Sequence, residues 1–241
     1  VETHVLLADQ HIPFHDKRAV AVAHKIAEAA RPDVVWLMGD LLDFAPLSRF
    51  RDSDMYQHTV QDELDLAADY LSNLRGRVPN AKLKWILGNH DYRLDKYVQG
   101  GKLRSLRNLN LAKELHTQDL GIEFARPRCY LAHGQFVLKH GSRWGIEATK
   151  AELRDEGCSG ASAHNHRAGL ASHRVPGKKP NYWHSVPCLC TLEPEWKKKD
   201  ATASPWQHGL GVLRTESSLW DIDLIHIHKG KATWRGQEYT A

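Results

Sequence analysis

Two short apolar runs and a third strand-like stretch constrain this chain most. Each closes on a polar pair or triplet, and a helical pattern separates each from the next. Val5-Leu6-Leu7-Ala8 leads into Asp9-Gln10-His11. Val34-Val35-Trp36-Leu37-Met38 leads into Gly39-Asp40. The stretch Ala81 to Leu87 leads into Gly88-Asn89-His90-Asp91. Short apolar runs suit strands of a parallel sheet buried on both faces. Between the first two, Val20, Ala23, Ala27 and Ala30 recur at helical spacing, which predicts a helix from Lys17 to Arg31. Asp16 is its expected cap and Pro32 its stop. A second helix is predicted from His58 to Arg75, with Val60, Leu64, Ala67, Leu71 and Leu74 on one face and Gly76 at the C-terminal cap. Two such βαβ crossovers bring all three strand ends to one edge, where open α/β sheets bind ligands.

The remainder changes character near residue 120. Tyr92 to Leu115 reads as a helix broken at Gly100-Gly101. Its basic residues (Arg93, Lys96, Lys102, Arg104, Arg107) read as a solvated face rather than a substrate flank. Strands are expected at Ile122–Phe124, Tyr130–Ala132 and Phe136–Lys139, then a helix at Ile146–Glu156 stopped by Gly157. The small-residue strand Ser159–Ala163 runs into His164-Asn165-His166. Further strands are expected at Gly169–Val175, Trp183–Cys190, Gly209–Arg214, Leu219–Ile227 and Ala232–Tyr239. Candidate ligands fall on both sides of the change. Residues 1–241 therefore read as one domain, α/β to about residue 120 and β-rich beyond.

Composition excludes several classes. The chain has 241 residues, 41% hydrophobic and 26% charged, with a formal charge of +4. That is ordinary for a globular protein and mildly favourable to an anionic substrate. No apolar run approaches the roughly 18 residues of a membrane span, so no membrane partner is expected. The four cysteines show no C-x-x-C spacing and read as reduced thiols. No signal peptide is visible, and the sequence begins at Val1 rather than Met; a cytoplasmic location is the expectation.

Asp9, His11, Asp40, Asn89, His140, His164 and His166 are seven oxygen or nitrogen donors, all at predicted strand ends. Two divalent ions about 3.5–4 Å apart, with one carboxylate bridging, call for a set of this size. Imidazole and carboxylate donors without thiolate suit manganese, iron, zinc or nickel. In an extended segment residues i and i+2 point the same way, so Asp9-x-His11 and His164-x-His166 can each reach a single site. His90 offers a proton, and Asp91 is placed to orient its ring.

The ordered set Asp-x-His, Gly-Asp-x-x-Asp, Gly-Asn-His-Asp, His-Gly and His-x-His resembles the calcineurin-like metallophosphoesterase superfamily across roughly residues 5 to 170. The later part, with Trp183, Cys188-Leu189-Cys190 and Trp206-Gln207, resembles phage-encoded members. The resemblance implies a four-layer α/β/β/α sandwich, two mixed sheets with flanking helices. It implies one metal on Asp9, His11, Asp40 and His166 and a second on Asp40, Asn89, His140 and His164, with Asp40 bridging. Manganese is the favoured pair, with iron, zinc, nickel or magnesium admitted. The implied reaction is in-line attack on phosphorus by a metal-bridging hydroxide, His90 assisting and Asp91 holding its tautomer, with Asp43 as a possible outer partner. The family often has Gly before His-x-His, where this chain has Ala163. His133-Gly134 competes with His140-Gly141 for the fourth motif; His140 is preferred because it closes a strand and precedes a helix.

Other residues have two readings. Tyr92, Arg143 and Arg167 follow ligand motifs closely and would either contact substrate phosphate or, for the arginines, form surface ion pairs. His173 and His184 follow His166 in the chain and are weaker candidates for substrate contact. His226-x-His228 lies in an alternating strand with no partner motif and reads as an exposed face. Lys178-Lys179 and Lys197-Lys198-Lys199 lie among Trp183, Trp196 and Trp206. Basic and aromatic residues interleave in single-stranded nucleic-acid grooves, but the lysines read more simply as solvated loops. The expected function is a dimetal phosphodiesterase acting on nucleic acid, DNA or RNA. The alternatives are a phosphomonoesterase for phosphoprotein, nucleotide or small molecule, and an inactive scaffold on the same fold. The native metal pair, substrate and oligomeric state are not legible.

Overall fold

The structure, a computed structural model, describes residues 1–48, 58–100, 109–174, 176–194 and 205–241. Lys102, Arg104, Arg107, Trp196 and Lys197 to Lys199 lie outside them. Six strands form the first sheet in the order β11-β10-β1-β2-β3-β4. They are β1 (Glu2–Leu7), β2 (Val34–Leu37), β3 (Lys82–Trp85), β4 (Ile122–Phe124), β10 (His208–Glu216) and β11 (Leu219–Ile227). The first four are parallel to one another, and β10 and β11 are added antiparallel. The second sheet has the order β5-β6-β7-β9-β8. It is built from β5 (Arg128–Leu131), β6 (Phe136–Lys139), β7 (Ser159–Ser162), β8 (Gly169–His173) and β9 (Asn181–Ser185). It too is mixed: β6, β7 and β9 are parallel, with antiparallel strands at both edges.

Alternation of side chains along each strand divides the core. Val5 and Leu7 of β1, Val35 and Leu37 of β2, and Leu83 and Trp85 of β3 pack with the helices α1 (Lys17–Ala30) and α2 (Val60–Arg77). Their neighbours Leu6, Val34 and Trp36 face the second sheet and meet Phe136, Leu138 and Ala161. On the far side of that sheet, Val137 and Trp183 pack with Leu153 of α5 (Ala148–Glu156). The result is helices, sheet, sheet, helix: the expected four layers. Asp16 caps α1, accepting from the amides of Arg18 and Ala19. Val60 lies against the α2 core, and Leu64, Ala67, Leu71 and Leu74 are buried in it.

Several boundaries differ from expectation. Gly76 lies inside the last turn of α2, which Val78 closes with its amide on Leu74. The broken helix resolves into α3 (Tyr92–Gln99), ending at Gly100, and a single turn α4 (Leu111–Glu114) restarted by the Asn110 cap. The run Trp183–Cys190 leaves the ladder after Ser185, because Pro187 has no amide to donate. Cys188 and Cys190 beyond it make only isolated bridges to His208 and His15. Ala232–Tyr239 is a hairpin, β12 (Lys231–Trp234) and β13 (Gln237–Thr240), rather than one strand. Arg235 and Gly236 both have positive φ there, 49° and 76°, as tight hairpin turns require. Among the described residues no helix is long and apolar enough to cross a membrane.

Trp183 is fully buried, lies against Gly160 of β7 and donates to Ser162 Oγ at 3.0 Å. Trp183→Ala should destabilise the chain by about 3–5 kcal/mol, read as a lower urea midpoint.

Candidate metal centre

The centre forms where the carboxyl ends of β1, β2, β3, β6 and β7 meet. The strand ends are tied to one another first. The Asp9 and His11 amides donate to Gly39 and Asp40 carbonyls at 3.2 and 2.9 Å, and Ala163 N donates to His140 O at 2.8 Å. Asp9 reaches across the sheets, its Oδ2 accepting from His164 N at 2.9 Å. Five of the seven predicted ligands are non-glycine residues in the left-handed region: Asp9 (φ 50°), His11 (48°), Asp40 (51°), His164 (67°) and His166 (58°). Each such residue costs on the order of 1–3 kcal/mol. This geometry corrects the extended-strand argument for His164-x-His166. Neither residue is extended, and the two rings go to different clusters, His166 with Asp9 and His11 and His164 with Asp40 and His140.

Three donors gather from Asp9, His11 and His166, and three from Asp40, His140 and His164. His11 Nε2 faces His166 Nε2 at 3.1 Å. His140 Nε2 stands 3.2 Å from His164 Nδ1, Asn89 Oδ1 and Asp40 Oδ2 alike. Asp40 links the clusters, since its Oδ2 is also 3.7 Å from His11 Nε2. His140 Nδ1 donates to Met38 O at 2.9 Å, which turns Nε2 inward. Two glycines make the approach possible: a Cβ on Gly39 would lie 2.4 Å from His140 Nδ1, and one on Gly88 2.2 Å from Asp40 Oδ1.

The family model of the calcineurin-like phosphoesterases matches residues 4–225. The chain belongs to this family. It is 24% identical to the gene 54 protein of Mycobacterium phage D29, over 243 residues and 94% of each chain. The gene 54 protein of Mycobacterium phage L5 is also 24% identical, over 249 residues, 97% of this chain and 96% of the other. The Vacuolar Protein Sorting 29 structure from Cryptosporidium parvum shares the fold, with a TM-score of 0.50 at 12% identity, over 100% of this chain and 98% of that one.

Phosphoesterases of this family usually bind divalent metals, and the donor chemistry here fits them. Neutral imidazole nitrogens facing each other near 3 Å need a proton or a cation between them. Burial drives His11, His166 and His164 toward the neutral, ligand-competent form, His164 to about 4 with help from the His140 charge. Burial opposes charge on His140 as well, yet Asp40 and Asp9 push it up to about 10. The pocket therefore favours positive charge at that point. Burial raises Asp9 well above the carboxylate range. It works the same way on Asp40, where His140, His90 and His11 prevail and hold the group low.

His90 is oriented by Asp43 and not by Asp91. Its Nδ1 donates to Asp43 at 3.0 Å, to Oδ1 and to the backbone carbonyl alike. The same Asp43 Oδ1 accepts from His11 Nδ1 at 2.8 Å. Burial works against charge on His90, and the Asp43 bond with the Asp40 charge raises its pKa. Asp91 is wholly buried and accepts from the amides of Asp40, Leu42 and Gly88 and from Trp85 Nε1, at 2.8–3.3 Å. It shapes the strand ends that carry the ligands. Burial, with the Asp40 charge, pushes it up to about 7.

The predicted substrate contacts divide. Tyr92 opens α3 and is partly exposed; Arg167 is half-buried directly after His166. Arg143 is paired with Asp155 at 2.6 Å, the ion-pair reading. His173 lies at the far end of the second sheet, because β8 runs antiparallel to β9 and brings Gly169 to the ligand end. His184 is the penultimate residue of β9, opposite Ala161, and its ring is buried beside Phe136 and Trp220. His133 is in the turn before β6, at the strand's opposite end from His140. Cys190 Sγ lies 3.7 Å from His166 Nδ1, a neighbour the spacing did not reveal. Arg93, read as solvated, donates to His90 Nε2 at 3.1 Å.

Because Asp40 joins both clusters, Asp40→Ala should lower the metal retained per chain after loading and desalting below that of wild type; unchanged metal content would refute Asp40 as a shared donor. A second prediction concerns His184, which burial lowers to about 4. The unfolded chain takes this proton near 6.5 and the folded chain does not, so stability falls as pH drops from about 6.5 toward 4. His184→Phe should lose less stability than wild type between pH 7 and 5, in urea midpoints.

Proposed function

We propose that this chain is a dimetal phosphoesterase that hydrolyses phosphodiester bonds in nucleic acid. The carrying observation is the convergence of two histidine-carboxylate clusters, joined by Asp40, with His90 at their edge. Asp9, His11, Asp40 and His166 would hold one ion and Asp40, Asn89, His140 and His164 the other. Divalent ions there supply Lewis acidity and charge neutralisation at a phosphoryl group and acidify water at neutral pH. His90 does the work that belongs to the chain itself. Its Nδ1 is held by Asp43, and its Nε2, which accepts from Arg93 Nη2 at 3.1 Å in the free chain, is the atom that would bind a phosphoryl oxygen or protonate the leaving oxygen once it exchanges that contact and takes up a proton. Its ring lies edge-on to His11 at 4.5 Å, against the first cluster.

The nucleic-acid part has separate support. Trp144 is 82% exposed, four residues beyond His140. The loop beneath it is pinned, because buried Glu152 Oε1 accepts from the Ser142 and Arg143 amides at 2.8 and 3.0 Å. A solvent-exposed indole four residues from a candidate ligand would offer a base a stacking surface. The net charge of +4 agrees in sign. A phosphomonoesterase would use the same centre, and the complete ligand set with His90 weighs against an inactive scaffold.

With manganese, bis-para-nitrophenyl phosphate and a single-stranded oligonucleotide should both be cleaved faster than para-nitrophenyl phosphate. Turnover of the monoester alone overturns the diester reading. His90→Ala should lower turnover by about 10²–10⁴-fold and leave metal content near that of wild type; unchanged turnover removes His90 from the reaction.

A further inference from the structure

We infer that Arg93 binds the substrate phosphate beside His90, an assignment that deepens the phosphoesterase reading and rests on it. Arg93 follows His90 by three residues at the start of α3, so the two side chains lie over one another. Its Nη2 donates to His90 Nε2 at 3.1 Å and its Nη1 to the Asp43 carbonyl at 2.8 Å. Among the described residues the closest ion pair of this guanidinium is with Asp43 Oδ2, at 3.9 Å. That carboxylate already takes the Nδ1 protons of His11 and His90.

The contrast with other arginines is informative. Arg128 and Arg143 each hold a carboxylate oxygen within 2.9 Å, and Arg214 is paired with Asp221 and Asp223. Arg75 also binds carbonyls, but at the amino ends of β3 and β4, away from the ligands, where it ties Ala81 to Leu120. Arg93 alone of these borders the candidate centre. Its side chain is 22% exposed, and that of His90 beneath it 20%. A partly open cation with weakly matched charge, next to the imidazole that would touch the reacting phosphoryl group, is a ready anion site. Of five N–H donors in the fork, the two bonds above engage two, and a phosphoryl oxygen pair suits the rest. The bond to Asp43 O keeps the guanidinium in place while Nη2 exchanges His90 for phosphate.

The test uses the full chain loaded with manganese, as Arg93→Gln and Arg93→Lys. Orthophosphate binding is followed by titration calorimetry, diester hydrolysis by KM and kcat, and metal content by elemental analysis. Arg93→Gln should weaken orthophosphate by roughly 10–100-fold, the loss expected for a charged hydrogen bond. It should raise the diester KM more than it lowers kcat and keep wild-type metal content. Arg93→Lys should recover part of the affinity. Orthophosphate affinity within twofold of wild type, no orthophosphate binding by loaded wild type, or metal loss in both variants overturns the assignment. Failure of wild type to cleave any diester counts against the proposed reaction instead, and orthophosphate binding still decides Arg93.

Discussion

The buried carboxylate of Asp40 is the group on which the rest of the centre depends. Its amide is held by Asp91, its Oδ1 accepts from the His90 amide at 2.8 Å, and its Oδ2 stands between His140 and His11. A carboxylate taken wholly out of water is tolerable only with partners of opposite sign or good donors. Here they come from three other strand ends, those of β1, β3 and β6, in two sheets. The same demand explains Gly39 and Gly88, whose missing side chains let His140 and Asp40 pack against backbone. It also explains the buried Asp91, which replaces the amide partners that the ends of β2 and β3 lose on leaving the ladder.

The strain at the site has the same origin. Strands that simply continued would carry Asp9, Asp40 and His164 past each other. Left-handed turns at these residues reverse the chain within one position and aim the donors inward. Left-handed non-glycine backbone persists only where the surroundings over-determine it, and the cross-strand amide bonds supply that. The four-layer packing contributes rigidity: β2, β6 and β7 are buried along their whole length and β1 over its last four residues, so their ends are held in place by packing on both faces.

Much of this was legible in the chain. Strand-like runs ending in Asp, Asn and His marked the strands and the polar residues at their ends, because strand period and burial are local consequences of residue order. The α1 cap and the apolar face of α2 followed from the same kind of evidence. Boundaries were less legible. Gly76 stays helical because packing of α2 outweighs its propensity, and the Ala232–Tyr239 run hides a turn that only the αL pair Arg235-Gly236 reveals.

What the sequence determined by itself was the identity of the donors and their attachment to strand ends, since periodicity and spacing carry both. Tertiary structure decided which donors share a cluster, that Asp43 rather than adjacent Asp91 holds His90, and that Arg93 leaves the solvated face for the centre. Structure also placed His173 at the far end of the second sheet, by strand reversal, and buried the His184 ring beside Phe136 and Trp220. The reason is physical: a side chain's partner is set by distance and direction through space. Once two sheets fold face to face, residues 155 apart in the chain, such as Asp9 and His164, come within hydrogen-bonding distance at 2.9 Å.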